Sequence, residues 1–124
     1  MKKSDRQLIF DKYGGRCAYC GCGLKPGWHV DHMDNVHRYK SMDTGKQEMH
    51  YPERHCIENM TPSCPSCNIY KGGCDIETFR WKLGNALPAL NKRDAQYKFA
   101  KRYGLIVETQ KHVVFYFETL NIPI

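Results

Sequence analysis

No stretch of the 124 residues approaches the roughly 18 consecutive apolar residues of a transmembrane helix, which excludes a helical membrane span. Lys2 and Lys3 begin the chain as a signal peptide begins, yet no apolar segment follows them, so the chain is read as cytoplasmic. Internal repeats and low-complexity tracts are also missing, which removes solenoids and biased linkers from consideration. Nor is there a detachable basic tail. Residues 1–74 carry eleven basic and eight acidic side chains and residues 75–124 eight and five, so each part contributes +3 to the net charge of +6.

A hydrophobic content of 41% in 124 residues suffices for one compact core, and the chain is too short for two ordinary domains. The positive balance, with a pI near 9.0, suits a polyanionic partner, because Lys and Arg that meet phosphates release condensed counterions. Seven cysteines without an export signal point away from a disulfide framework, and the odd number leaves one unpaired in any case. Metal binding is the better use of thiols in a reducing compartment.

Ser4 with Gln7 resembles a capping box, and Leu8, Ile9 and Tyr13 follow with amphipathic spacing, which predicts a helix over residues 5–13 that stops at Gly14-Gly15. Three cysteines then crowd a glycine-rich turn at residues 17–23, and Trp28-His29-Val30-Asp31-His32 has the look of a strand. Residues 33–56 are polar and aperiodic and read as a long loop. A second strand is expected from Cys56 to Thr61. A short helix follows, capped by Ser63 with Pro65 in its first turn, and runs through Tyr70 to Gly72-Gly73. Further on, Ile76, Phe79 and Leu83 stand at helical spacing and residues 84–88 mark a break. A second helical run covers Lys92 to Tyr103, and Val113 to Phe117 reads as a buried strand. The fold class expected from this order is α+β.

Cys17-Ala18-Tyr19-Cys20 and Cys64-Pro65-Ser66-Cys67 are two C-x-x-C knuckles, each able to place two thiolates on one zinc ion at about 2.3 Å. Four thiolates leave no position for water or substrate, so the expected zinc is structural and ties the entrance of the first strand to the last helix of the core. Cys22, Cys56 and Cys74 are left over and read as small buried apolar residues, with Cys22 an alternative to Cys20 as ligand.

Between the knuckles stand Val30-Asp31-His32 and Asn59-Met60-Thr61-Pro62-Ser63, the latter running into Cys64-Pro65-Ser66-Cys67-Asn68-Ile69-Tyr70-Lys71-Gly72. Over roughly residues 13–73 the chain resembles the HNH endonuclease family, whose ββα-metal (His-Me finger) fold combines an Asp-His pair, a central Asn and a final His or Asn. The resemblance implies a nuclease core over residues 1–74, a ββα-metal unit stapled by the zinc. Residues 75–124 would then be a helical and strand extension that packs on the core or adds DNA contacts through Lys92, Arg93, Lys98, Lys101 and Arg102. It implies further that His32 is the general base, that Asp31 and Asn68 hold a catalytic divalent metal, that Asn59 fixes the loop orienting the histidine, and that Lys71 contacts phosphate. Asn68 stands where many members carry the final His, and an amide oxygen favours Mg²⁺ or Mn²⁺ over zinc.

Elementary chemistry is consistent with those roles. Phosphodiester hydrolysis needs an in-line water, a base for its proton, and positive charge for the phosphorane and the departing oxygen. Successive strand residues point to opposite faces, so Asp31 and His32 serve one site only at a strand end where the backbone turns. Asn68 and Lys71 are three apart on the short helix and share a face. The expectation is a metal-dependent endonuclease cleaving DNA to 5′-phosphate and 3′-hydroxyl ends, as a monomer or homodimer. By its likeness to small free-standing members of the family, it would work in a host cytoplasm if carried by a phage.

The alternative is a noncatalytic zinc-ribbon DNA-binding adaptor that binds without cutting. His37, Arg38, Lys40, His50, Arg54 and His55 equip the long loop either to grip DNA or simply to be solvated. Tyr19, Trp28, Tyr39, Tyr51 and Tyr70 are candidates for base stacking or for packing, and His29 reads as a packed strand histidine.

Overall fold

The structure, a computed structural model, describes residues 1–120; the last four residues, 121–124, lie outside the described part. Its helices are α1 (Lys3–Asp11), α2 (Pro65–Lys71), α3 (Ile76–Gly84), α4 (Ala86–Arg93), α5 (Ala95–Arg102) and α6 (Tyr116–Thr119). Its strands are β1 (His29–His32), β2 (Arg38–Lys40), β3 (Gln47–Met49) and β4 (Met60–Ser63), with single 3-10 turns at Pro52–Arg54 and Ile57–Asn59. The architecture is mixed α+β with two-stranded sheets, and among the described residues no helix is long and apolar enough to cross a membrane. The chain divides into two compact units, Met1–Ile76 with Phe115 onward, and Glu77–Val114.

In the first unit β1 and β4 pair antiparallel, His29 opposite Ser63 and His32 opposite Met60. Pro62 is tolerated because its backbone polar groups face away from β1, where a missing N–H costs no ladder bond; its carbonyl accepts from the Ala18 N–H at 2.9 Å. α2 follows β4 directly and lies against β1. α1 supplies Ile9 to the core beside buried Cys17, Ala18, Tyr19, Val36, Met60 and Phe115, and Phe10 packs on Trp28 with ring centroids 5.6 Å apart.

Several boundaries differ from the sequence reading. α1 spans Lys3–Asp11, so Ser4 lies inside the helix instead of capping it, and Gln7 bonds Asp11 within the helix at 3.0 Å. The second strand lies at Met60–Ser63, later than the expected Cys56 to Thr61, because Ile57–Asn59 first makes a 3-10 turn. Ser63 belongs to that strand. Cys64 caps α2 in its place, its sulfur accepting the Cys67 N–H at 3.4 Å. The long loop contains a small hairpin, β2 against β3, with Tyr39 stacked on His50 at 4.3 Å.

The expected strand at residues 113–117 does not form. Its apolar run is spent on packing: Phe115 and Phe117 stack at 5.8 Å, both meet Tyr19 edge-on, and the Tyr116 and Phe117 N–H groups bond the carbonyls of Tyr19 and Ala18. Those bonds draw Phe115 onward into the first unit, so the extension does not stay together as residues 75–124. In the second unit, the expected helix from Lys92 to Tyr103 is two helices. Asp94 ends α4 with extended dihedrals and caps α5 by accepting the Tyr97 N–H at 3.0 Å. Pro88 sits in the first turn of α4, where no intrahelical partner is lost, so the break narrows to Asn85. The segment after α5 is tied back to these helices: the Gly84 carbonyl accepts from Gln110 at 3.2 Å, and Arg80 donates to the Val113 carbonyl at 2.6 Å.

Candidate functional site

The two C-x-x-C knuckles converge. The sulfurs of Cys17, Cys20, Cys64 and Cys67 all lie within 4.8 Å of one another, and those of Cys20 and Cys64 are 3.9 Å apart. A tetrahedral zinc with Zn–S near 2.3 Å places its sulfurs about 3.8 Å from one another, so the cluster fits a zinc ion. Local backbone bonds shape the first knuckle: Gly21 donates to the Cys17 carbonyl and Cys17 to the Cys22 carbonyl, at 2.9 and 2.8 Å. Gly21 holds φ +79°, and a Cβ there would come within 2.9 Å of the Tyr116 ring, so both its dihedral and its neighbour call for glycine. Cys20 belongs to the four-sulfur cluster and Cys22, exposed as Cys20 is, does not. Cys56 and Cys74 are only half-buried, so none of the three spare thiols is the fully buried apolar residue expected.

On the face of β1 that α2 covers, two side chains meet two. His29 Nδ1 lies 2.9 Å from Asn68 Nδ2, and Asp31 Oδ2 lies 3.1 Å from the Lys71 ammonium. The i, i+2 spacing on the strand thus matches the i, i+3 spacing on the helix. Asp31 Oδ2 also accepts from the Tyr19 hydroxyl at 2.5 Å. Burial, and then the Asp31 carboxylate, push the Tyr19 hydroxyl far above its ordinary pKa, so it is a permanent donor. Tyr19, 3% exposed, therefore braces the site and is withdrawn from the set available to stack on bases.

Lys71 is placed differently from the phosphate contact expected of it. Its side chain is fully buried, and the ammonium also donates to the His32 carbonyl at 3.2 Å. The correction has a simple cause: α2 packs against β1, which buries the Lys71 side chain against Asp31, while Asn68 one turn earlier stays half-buried. Opposite Asp31 on β4, the Thr61 hydroxyl is buried with no partner among the described residues.

His32 is the last residue of β1 and meets the loop beyond it. Its Nε2 is 3.0 Å from Nδ1 of His55, with ring centroids 5.2 Å apart. Burial, and then the neighbouring His55 and Arg38, hold the His32 imidazole below its ordinary pKa. Asn59 clamps the loop that carries these rings. Its amide accepts the Asp34 N–H at 2.9 Å and donates to the Asp34 and Arg54 carbonyls at 2.8 and 2.7 Å, while its own carbonyl receives the Met33 N–H.

Sequence reasoning named His55 only as a loop group able to grip DNA and Tyr19 only as a candidate for stacking or packing, not as the partners of His32 and Asp31. Nothing in their spacing separates His55 from His37 and His50 in the same loop; only the hairpin and the 3-10 turns decide which ring reaches His32. Comparison of the chain with protein-family models, curated proteins and solved structures returned no match.

Proposed function

We propose that the first unit is a metal-dependent endonuclease of the HNH type that hydrolyses DNA phosphodiesters. The observation that carries the reading is what one strand end brings together: Asp31 held by Lys71 of α2, His32 against His55, Asn68 one helical turn before Lys71, and Asn59 tying down the loop beyond. An adaptor that only bound DNA would have no need of this arrangement.

Carboxylate and amide oxygens are the donors that a hard cation takes. Both contacts of Asp31 fall on Oδ2, and Asn68 is engaged through Nδ2, which leaves Oδ1 of each without a hydrogen bond among the described residues. These two oxygens would hold Mg²⁺ or Mn²⁺, which when bound supplies positive charge for the phosphorane and the departing 3′ oxygen. Lys71 acts beneath them as a positioning residue, fixing the Asp31 carboxylate by its ion pair.

His32 takes the proton of the attacking water. In the tautomer that carries its proton on Nε2, 3.0 Å from His55 Nδ1, the Nδ1 of His32 is the basic atom. His55 is thereby a positioning residue that selects the tautomer, and Asn59 holds the backbone from which both rings project. The water attacks phosphorus in line, the bond from phosphorus to the 3′ oxygen breaks, and a 5′-phosphate remains.

Supercoiled plasmid tests the reading, with Mg²⁺ or Mn²⁺ added or omitted and zinc content confirmed beforehand. Nicking by wild type only with added metal, and none by His32→Ala at unchanged zinc content and fold, is the expected result. His55→Ala should slow the single-turnover rate about tenfold or more with little change in binding. Binding without cleavage under every metal would transfer the assignment to the noncatalytic zinc-ribbon adaptor.

A further inference from the structure

The second unit, Glu77–Val114, holds eight basic and three acidic side chains, so it carries +5 of the chain's +6. The even division between residues 1–74 and 75–124 concealed this, because Asp75 and Glu118 fall outside the unit. All three of its acids are engaged within it. Glu77 pairs with Arg80 at 3.1 Å, and Asp94 caps α5. Glu108 accepts from Lys101, Tyr97 and Asn91 at 2.6, 2.7 and 2.6 Å. Lys92, Arg93, Lys98, Arg102 and Lys111 are exposed and have no ion pair among the described residues.

On α5 these charges are interleaved with bare aromatic rings. Lys98 and Arg102 are four residues apart on one face, as are Phe99 and Tyr103 beside them. Phe99 is 52% and Tyr103 74% exposed; their centroids lie 6.4 Å apart at 31°, and the Arg102 guanidinium sits 4.9 Å from the Phe99 centroid. Exposed rings of this size next to unpaired cations match a ligand with negative charge on its backbone and flat apolar faces. An apolar protein partner would bury Lys98 and Arg102 without counter-charges, at a large desolvation cost. A duplex offers the phosphates but hides the base faces in its stack.

We propose that this face of α5 binds single-stranded nucleic acid, Lys98 and Arg102 on successive phosphates and Phe99 and Tyr103 against unstacked bases. The site is built from the second unit alone and stands whether or not the first unit is a nuclease. Lys101, a candidate for DNA contact in the sequence, drops out because Glu108 and Asn91 hold its ammonium.

The test is fluorescence anisotropy of the full chain with a labelled oligonucleotide, single-stranded and as a duplex of the same sequence, over a salt series without added Mg²⁺ or Mn²⁺. Circular dichroism and melting confirm that each variant is folded. Lys98→Gln with Arg102→Gln should weaken both forms about tenfold or more and flatten the single-strand salt slope by about 1.4. Phe99→Ala with Tyr103→Ala should weaken the single strand about tenfold or more and leave the duplex within about twofold. The proposal is overturned if the aromatic pair changes nothing, if it weakens both forms alike, or if polyglutamate displaces the oligonucleotide as well as unlabelled single strand does. A failure to cut plasmid leaves this measurement untouched.

Discussion

Lys71 and Asp31 form an ion pair at 3.1 Å with the lysine side chain fully buried and the aspartate 11% exposed. Two charges in that setting are stable only together, since either one alone would sit buried without compensation. The Tyr19 hydroxyl and the His32 carbonyl complete the pair's hydrogen bonds and join the knuckle, the strand and the helix in one polar network.

Lys71→Met should therefore destabilise the protein by about 3–5 kcal/mol in urea unfolding at neutral pH with zinc present. Adding Asp31→Asn should recover a large part of that loss, because the uncompensated carboxylate is then gone. A single-variant loss below about 1 kcal/mol would mean that the Asp31 charge is already well solvated.

The zinc assignment predicts one ion per chain by elemental analysis. Cys64→Ser should lose it and melt lower through the missing thiolate alone, since a serine hydroxyl can still cap α2. Cys22→Ser should keep a full complement of zinc, its sulfur lying outside the cluster. Loss of zinc from the Cys22 variant would put the ligand set in error.

The buried Thr61 hydroxyl has no partner among the described residues, and such a group costs about 1–3 kcal/mol. Thr61→Val keeps the branched shape and removes the polar atom, so the variant should gain on the order of 1 kcal/mol in urea unfolding. A clear loss of stability would show that the hydroxyl has a partner in solution.

Acid should loosen the second unit through Glu108. The Lys101 ammonium, then the Tyr97 hydroxyl and the Asn91 amide, pull its carboxyl down to about 2. A folded pKa below the unfolded value, near about 4.3, means stability that is fully present above that value and lost as pH falls toward 2. Glu108→Gln should melt lower than wild type at pH 6, and the gap should close between pH 4.5 and 2. A gap that stays constant over this window would remove Glu108 from the account.

Much of the site could be read from local pattern. Two C-x-x-C spacings define their own chelate geometry, whatever lies between them, so the four ligands were legible without a fold. The Asp31-His32 doublet at a strand end followed in the same way from the alternation of a strand. The capping residues were less legible, because Ser63 and Cys64 are both able to cap and only the register of β4 against β1 decides which one is still strand.

What the sequence determined by itself is whatever a few bonded neighbours dictate: the two C-x-x-C knuckles, the helical character of residues 65–71, and the net positive charge. Tertiary structure alone decided the rest, since burial and pairing depend on residues far apart in the chain. Packing turned Lys71 inward to Asp31, 40 residues away, and brought His55 to His32. It spent Phe115 to Phe117 on a turn against Tyr19 instead of a strand, and it left Phe99 and Tyr103 uncovered within a unit of +5.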